Sequence, residues 1–133
     1  MLSKKHAFPS AERLKRKKEI QELFAKGSSF FLYPYKIIYL TNNESGTSLP
    51  KVLFSVSKKY DARTVQRNLL RRRIKEAYRL SKSILASQPH RLKAIAFISV
   101  AKQPETFEFL SRKMKELLHK LLREHSTKDH LTN

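Results

Sequence analysis

The sequence predicts an α+β fold, a four-stranded mixed sheet packed with helices, with elements in the order α-β-β-β-α-β-α. Three observations predict it. Apolar residues recur at helical spacing in three separated stretches. Runs rich in aromatic and β-branched residues, without that spacing, lie between them. One near-continuous apolar run, "LKAIAFISVA" at 92–101, suits a strand buried in the middle of a sheet.

The elements follow in chain order. Residues 1–11 read as extended, with Pro9 stopping any early helix. "KKEIQELFAKG" is a short helix with Ile20, Leu23 and Phe24 on one face, and Gly27 suits a left-handed C-terminal stop. "SFFLYPYKIIYLT" gives two strand segments broken at Pro34, which cannot donate to a ladder. "NNESGTSLP" is expected to be loop. "KVLFSVS" is a strand with Val52, Phe54 and Val56 on one face, and Lys58 and Lys59 sit just beyond its end. Residues 62–86 read as a helix with Asp61 as N-cap, and "SQPHR" ends it. A last helix is predicted from about Glu105 to Glu124, with Phe107, Leu110, Met114, Leu117, Leu118 and Leu121 as its apolar stripe. No repeat or long linker divides the chain, so one domain is expected across 1–133, with flexible ends about 1–8 and 125–133.

Charge narrows the partner. The balance of 29 Lys+Arg against 11 Asp+Glu gives a formal +18, which opposes compaction and calls for a polyanion. The chain has no cysteine, so disulfides and thiolate chemistry are excluded. The histidines are scattered without metal-ligand spacing. The start, "MLSKKHAFPS", is not a secretory signal, and no uncharged apolar run approaches membrane-spanning length. A cytoplasmic protein is the expectation.

The charge concentrates in the middle helix. Arg63, Arg67, Arg71, Lys75 and Arg79 recur at every fourth place, so they form a slowly spiralling basic ridge, joined by Asn68, Arg72 and Lys82. Ala62, Val65, Gln66, Leu69, Leu70, Ile74 and Ala77 project to the opposite, core-facing arc, and Arg73 falls among them. A merely solvated face would mix signs, because i,i+4 acid–base pairs stabilise a helix. The last helix mixes them, with Glu108/Arg112 and Glu116/Lys120, whereas residues 62–86 hold one acid, Glu76, among eight basic residues. The arginine-rich ridge suits bidentate phosphate contact. A membrane-lying helix would need bulky apolar residues free opposite the charge, and a DNA-reading helix would need small polar residues for base edges. Both are disfavoured, which leaves RNA. Core packing is the ordinary role of the aromatics. Phe24, Tyr35 and Tyr39 are the ones expected at the surface, where rings stack on unpaired bases.

Three quoted stretches carry a family resemblance. "FSVSKK" at 54–59, the helix "RTVQRNLLRRRIKEAYR" and the opening "FPSAERLKRKKEIQELFAKGSSF" resemble the bacterial ribonuclease P protein subunit over residues 8–120. The family's mark is a strand ending in S-V-S-K-K, then an R-N-R helix continuing x-K-R-x-x-R-E-A. Arg67 and Asn68 match that signature. Leu69 stands where its second arginine belongs, with Arg71 or Arg73 as stand-ins for the missing contact.

The resemblance implies a left-handed β-α-β crossover through the basic helix, against the usual hand. It implies a protein subunit of an endoribonuclease whose RNA carries the chemistry, removing the 5′ leader of precursor tRNA. Arg63, Arg67, Asn68, Arg71, Arg72, Lys75 and Arg79 would meet the catalytic RNA. Ile20, Phe24, Tyr35, Tyr39, Lys58 and Lys59 would line the leader cleft. The partners implied are the catalytic RNA and precursor tRNA, with no membrane and no DNA. No catalytic residue, metal ligand or cofactor is expected in the protein itself, and Mg2+ serves the holoenzyme through its RNA. A ribosomal RNA-binding protein is the competing class. A stand-alone nuclease is disfavoured because the two aspartates, Asp61 and Asp129, lie in different segments.

Overall fold

The computed structural model describes residues 8–131. A turn of 3-10 helix at Ser10–Glu12 leads to α1 (Lys17–Lys26), β1 (Ser28–Leu32), β2 (Tyr35–Gly46), β3 (Lys51–Val56), α2 (Thr64–Ser81), β4 (His90–Ser99) and α3 (Phe107–Leu131). The predicted order is therefore the observed one, in a single four-stranded sheet ordered β1-β2-β4-β3. β1, β2 and β4 pair antiparallel, and β3 runs parallel to β4. That parallel pair requires a crossover, which α2 provides.

The two sheet faces are covered differently. On one face Tyr35, Ile37 and Tyr39 of β2 join Phe54, Phe97, Leu70, Ile74, Tyr78, Leu110, Met114 and Leu117 in the main core under α2 and α3. On the other face α1 seats Leu23 on Ala94 and Ala96, with Ile20, Ile38, Leu40 and Leu53 packed around them. β4 is buried on both faces, which explains its unbroken apolar run.

Several boundaries depart from the sequence reading. β2 continues through 42–46, where a loop was expected, with register shifts after Leu40 and Thr41. α2 begins at Thr64, and Asp61 is not its cap: its Oδ1 accepts the Arg63 backbone N–H in the preceding turn. After Ser81 the chain tightens into 3-10 helix at Lys82–Ser87. α3 runs to Leu131, past the predicted end at Glu124. Among the described residues its ion pairs are Lys113–Glu116 and Lys120–Glu124, not the expected Glu108/Arg112 and Glu116/Lys120. Gly27 has φ −70°, not a left-handed value. It is required by close approach, since a Cβ there would lie 2.5 Å from the Leu23 carbonyl oxygen and 2.7 Å from Ile38 Cγ2. Phe8 packs against the main core. Of the ends expected to be flexible, residues 1–7 and 132–133 lie outside the described residues.

The segment before α1 closes the β3 edge. Arg13 bridges to Val52, and the Leu14 N–H bonds the Val52 carbonyl at 2.8 Å. Lys82 Nζ meets Glu12 Oε1 at 2.7 Å, with the lysine side chain 2% exposed, and so pins this segment to the end of α2.

Candidate nucleic-acid interface

α2 buries Leu70, Ile74, Ala77, Tyr78 and Ser81, so its core arc is centred there. Val65 and Leu69, placed on the core side by sequence projection, are exposed at 73% and 40%. The buried arc is thus rotated towards Tyr78, and Arg73 comes out to solvent without needing a partner. Lys82 leaves the ridge altogether, buried against Glu12.

The ridge residues divide by what they touch. Arg79 is mostly buried and makes two hydrogen bonds to Glu76, which hold the Glu76 carboxyl below its usual range. Arg63 pairs with Asp61 at 2.9 Å, and its side-chain and backbone hydrogen bonds hold the Asp61 carboxyl down to about 2. Arg67 folds its guanidinium onto the carbonyls of Asp61 and Ala62, at 2.9 and 2.7 Å. These three order the two ends of the helix. Asn68 accepts from Arg71 at 2.6 Å. Arg71, Arg72, Arg73 and Lys75 meet no carboxylate among the described residues, and they form the uncompensated centre of the helix.

Arg71 and Lys75 also line a crevice of about 210 Å³ with Phe8, Arg13, Lys15 and Phe54. The Lys75 ammonium stands 5.7 Å from the Phe8 ring centroid and the Arg13 guanidinium 5.1 Å from it. Burial, Arg13 and Arg71 together push the Lys75 pKa down. Three cations gathered without a carboxylate make a place for an anion.

The opposite sheet face is the one that α1 covers. α1 covers Ile38, Leu40, Ala94, Ala96 and Leu53 and leaves the next row of the sheet open. In that row Phe31 pairs with Lys36, Lys36 with Ile98, and Ile98 with Ser55. Ile20 is half-buried beneath α1 and Phe24 is 49% exposed on it. Lys58 and Lys59 are exposed just past β3, where the Ser57 N–H bonds the Ser99 carbonyl. Phe24, Lys58 and Lys59 are therefore exposed, whereas Ile20 packs against the Leu23, Ala94 and Ala96 cluster.

Tyr35 and Tyr39 are buried, and their expected surface placement is corrected. They are 0% and 3% exposed on the α2–α3 side of the sheet. The residues of β2 that share the face of α1 are Lys36, Ile38 and Leu40. Phe31, Lys36, Ile98 and Ser55 share the face of α1, which the sequence reading did not single out. Strand alternation could have found them once the face of α1 was known.

The model of the family described as Ribonuclease P matches residues 8–122. The chain belongs to the ribonuclease P protein family. The Porphyromonas gingivalis ribonuclease P protein component is 35% identical over 111 residues, 81% of each chain. That of Citrifermentans bemidjiense is 42% identical over 80 residues, 60% of this chain and 66% of its own. Among solved structures, the Staphylococcus aureus ribonuclease P protein superposes with a TM-score of 0.64 at 23% identity, covering 87% of this chain and 99% of that one. The Thermotoga maritima protein gives 0.64 at 21% identity, covering 82% and 96%. These two likenesses show the fold. Membership makes the chain a component of ribonuclease P, an endoribonuclease, with the ribonuclease P RNA as its partner.

Proposed function

We propose that the chain docks on the catalytic RNA through the central arginines of α2 and holds the single-stranded 5′ leader of precursor tRNA in the groove between α1 and the sheet. Removal of that leader gives the mature tRNA 5′ end. The observation that carries the reading is the run Arg71–Arg73 with Lys75, which meets no carboxylate among the described residues. A stable fold does not leave such a cluster uncompensated without cost, and RNA phosphates supply the missing charge. Phe24, Lys58 and Lys59 lie on a separate surface, suited to a strand of unpaired bases and phosphates.

Among the described residues no three His, Asp or Glu side chains gather to hold a metal ion. In this reading the magnesium ion is held by the RNA. The role left to the chain is binding and positioning.

The test is reconstitution. The chain, a bacterial ribonuclease P RNA and precursor tRNA are mixed at low magnesium, and 5′ maturation is followed. The chain should restore cleavage that the RNA alone performs poorly there, and the chain alone should cut nothing. Cleavage equal with and without the chain would contradict the reading.

A further inference from the structure

Among the described residues Phe31 is the most exposed of the large hydrophobic side chains apart from Val65, at 58%, and it lies on the edge strand β1. Its neighbour Phe30 packs towards the core, with its ring 6.2 Å from Tyr39 and the Lys120 ammonium 4.8 Å from its own centroid. Strand alternation turns Phe31 the other way, onto the face of α1 and directly opposite Lys36. Beside it opens a cavity of about 410 Å³ lined by Phe31, Tyr33, Val100, Lys102 and Gln103.

This cavity has a fixed back and a charged rim. The Tyr33 hydroxyl donates to Glu105 at 3.0 Å, and its ring meets Phe109 edge-on at 6.1 Å. The Val100 N–H bonds the Pro34 carbonyl at 2.9 Å, which ties the strand-end loop to the β1–β2 turn. Lys102 and Gln103 are exposed on its lining, and Lys36 is exposed on β2 opposite Phe31. An open ring for stacking, an amide that can donate and accept, and two ammonium groups together match the face, the edge and the phosphate of a nucleotide.

We infer that this cavity is a second base-binding pocket for single-stranded RNA, in which a leader base farther from Lys58 and Lys59 stacks on Phe31 while Lys36 and Lys102 hold its flanking phosphates. The inference rests on the leader reading above. The sheet order β1-β2-β4-β3 places Phe31 three strand spacings from the end of β3. That is about 14 Å, a span that a few nucleotides cross. The open row Lys36–Ile98–Ser55 is the floor between them.

The experiment uses the reconstituted RNA–protein complex and precursors with leaders from one to about ten nucleotides. Affinity is measured for wild type, Phe31→Ala and Phe31→Tyr. With wild type, affinity should rise in two stages as the leader lengthens. Phe31→Ala should remove the later stage, a loss of about tenfold confined to long leaders, and Phe31→Tyr should restore it. An abasic nucleotide at the position that first responds should weaken wild type and leave Phe31→Ala unchanged. Wild type that depends on leader length with Phe31→Ala indistinguishable from it overturns the pocket alone. Wild type flat across the series overturns the pocket together with the leader reading. Phe31→Ala weakening mature tRNA equally would assign the surface to another part of the RNA and overturn the inference. Because Phe31 is exposed, melting temperature should stay unchanged and so separates these outcomes from misfolding.

Discussion

The Tyr35 hydroxyl donates to the Leu110 carbonyl at 2.8 Å, tying β2 to α3 through the main core. Burial pushes the Tyr35 phenol well above its usual range, so it remains a donor at all ordinary pH values. Tyr35→Phe removes that bond while the Leu110 carbonyl keeps its place in the helix ladder, and should cost about 0.5–1.5 kcal/mol. Tyr39→Ala should cost about 3–5 kcal/mol through the cavity it leaves. Denaturant unfolding measures both. Leader affinity, corrected for the folded fraction, should be unchanged. Tyr39→Ala that melts like wild type but loses precursor binding would show that the two sheet faces have been exchanged.

The two sides of α2 should separate stability from binding. Leu70 and Ile74 are 3% and 1% exposed, so truncating either to alanine should cost about 2–5 kcal/mol. Arg71→Ala and Arg72→Ala should leave the melting temperature nearly unchanged and weaken binding to the catalytic RNA. Each should lower the slope of log affinity against log salt by about one charge's worth. Arginine variants that unfold would contradict the exposed placement of these side chains.

How much was legible follows from two periodicities. The helical period of "KKEIQELFAKG" put Ile20, Leu23 and Phe24 on one face, and only packing on the sheet separates the buried Leu23 from Phe24 at the edge of that stripe. The period of two in β2 placed Tyr35 and Tyr39 together, and Lys36 and Ile38 together, but it could not say which set faced α1. Both sets are apolar enough to be buried, and only the third dimension decides between them. α2 posed a similar problem. Val65 and Leu69 widen the apolar arc on one flank and Tyr78 and Ser81 on the other, and packing against β3 and α3 selected the second. Lys82 sits at ridge spacing, yet its burial depends on Glu12, 70 positions away. No local pattern encodes that contact.

Glu12 and Lys82 should act as a structural clasp. Removing one partner of a buried pair typically costs about 3–5 kcal/mol, and Glu12, at 18% exposure, places Glu12→Gln near the lower figure. The loss should appear in thermal unfolding. Hydrogen exchange should show faster opening at the Leu14 N–H, which bonds Val52 on the β3 edge. Unchanged protection of Leu14 would mean that the segment is held without the clasp.

The cation cluster gives a pH and anion signature. Lys75 has a folded pKa below that of the unfolded chain, so the unfolded state binds more protons in the window below about 10.5. Its contribution to stability is therefore unfavourable at neutral pH and is relieved as pH rises through the folded value. Wild type should gain stability relative to Lys75→Met as pH increases across that window. Millimolar sulfate should raise the melting temperature more than chloride at equal ionic strength, and Lys75→Met should blunt the difference. Equal responses to sulfate in both proteins would place the anion elsewhere.

The most direct test of the central claim is the affinity ratio of precursor over mature tRNA, measured for the catalytic RNA with and without the chain. Only the precursor has a strand to lay between α1 and the sheet. The chain should raise the ratio. Phe24→Ala should lower it by roughly fivefold to a hundredfold through lost stacking, with mature-tRNA affinity unchanged. Lys59→Ala should lower precursor affinity and flatten its salt dependence by about one charge's worth. A ratio unmoved by adding the chain, or variants that weaken precursor and mature tRNA alike, would show that the protein acts only through the catalytic RNA.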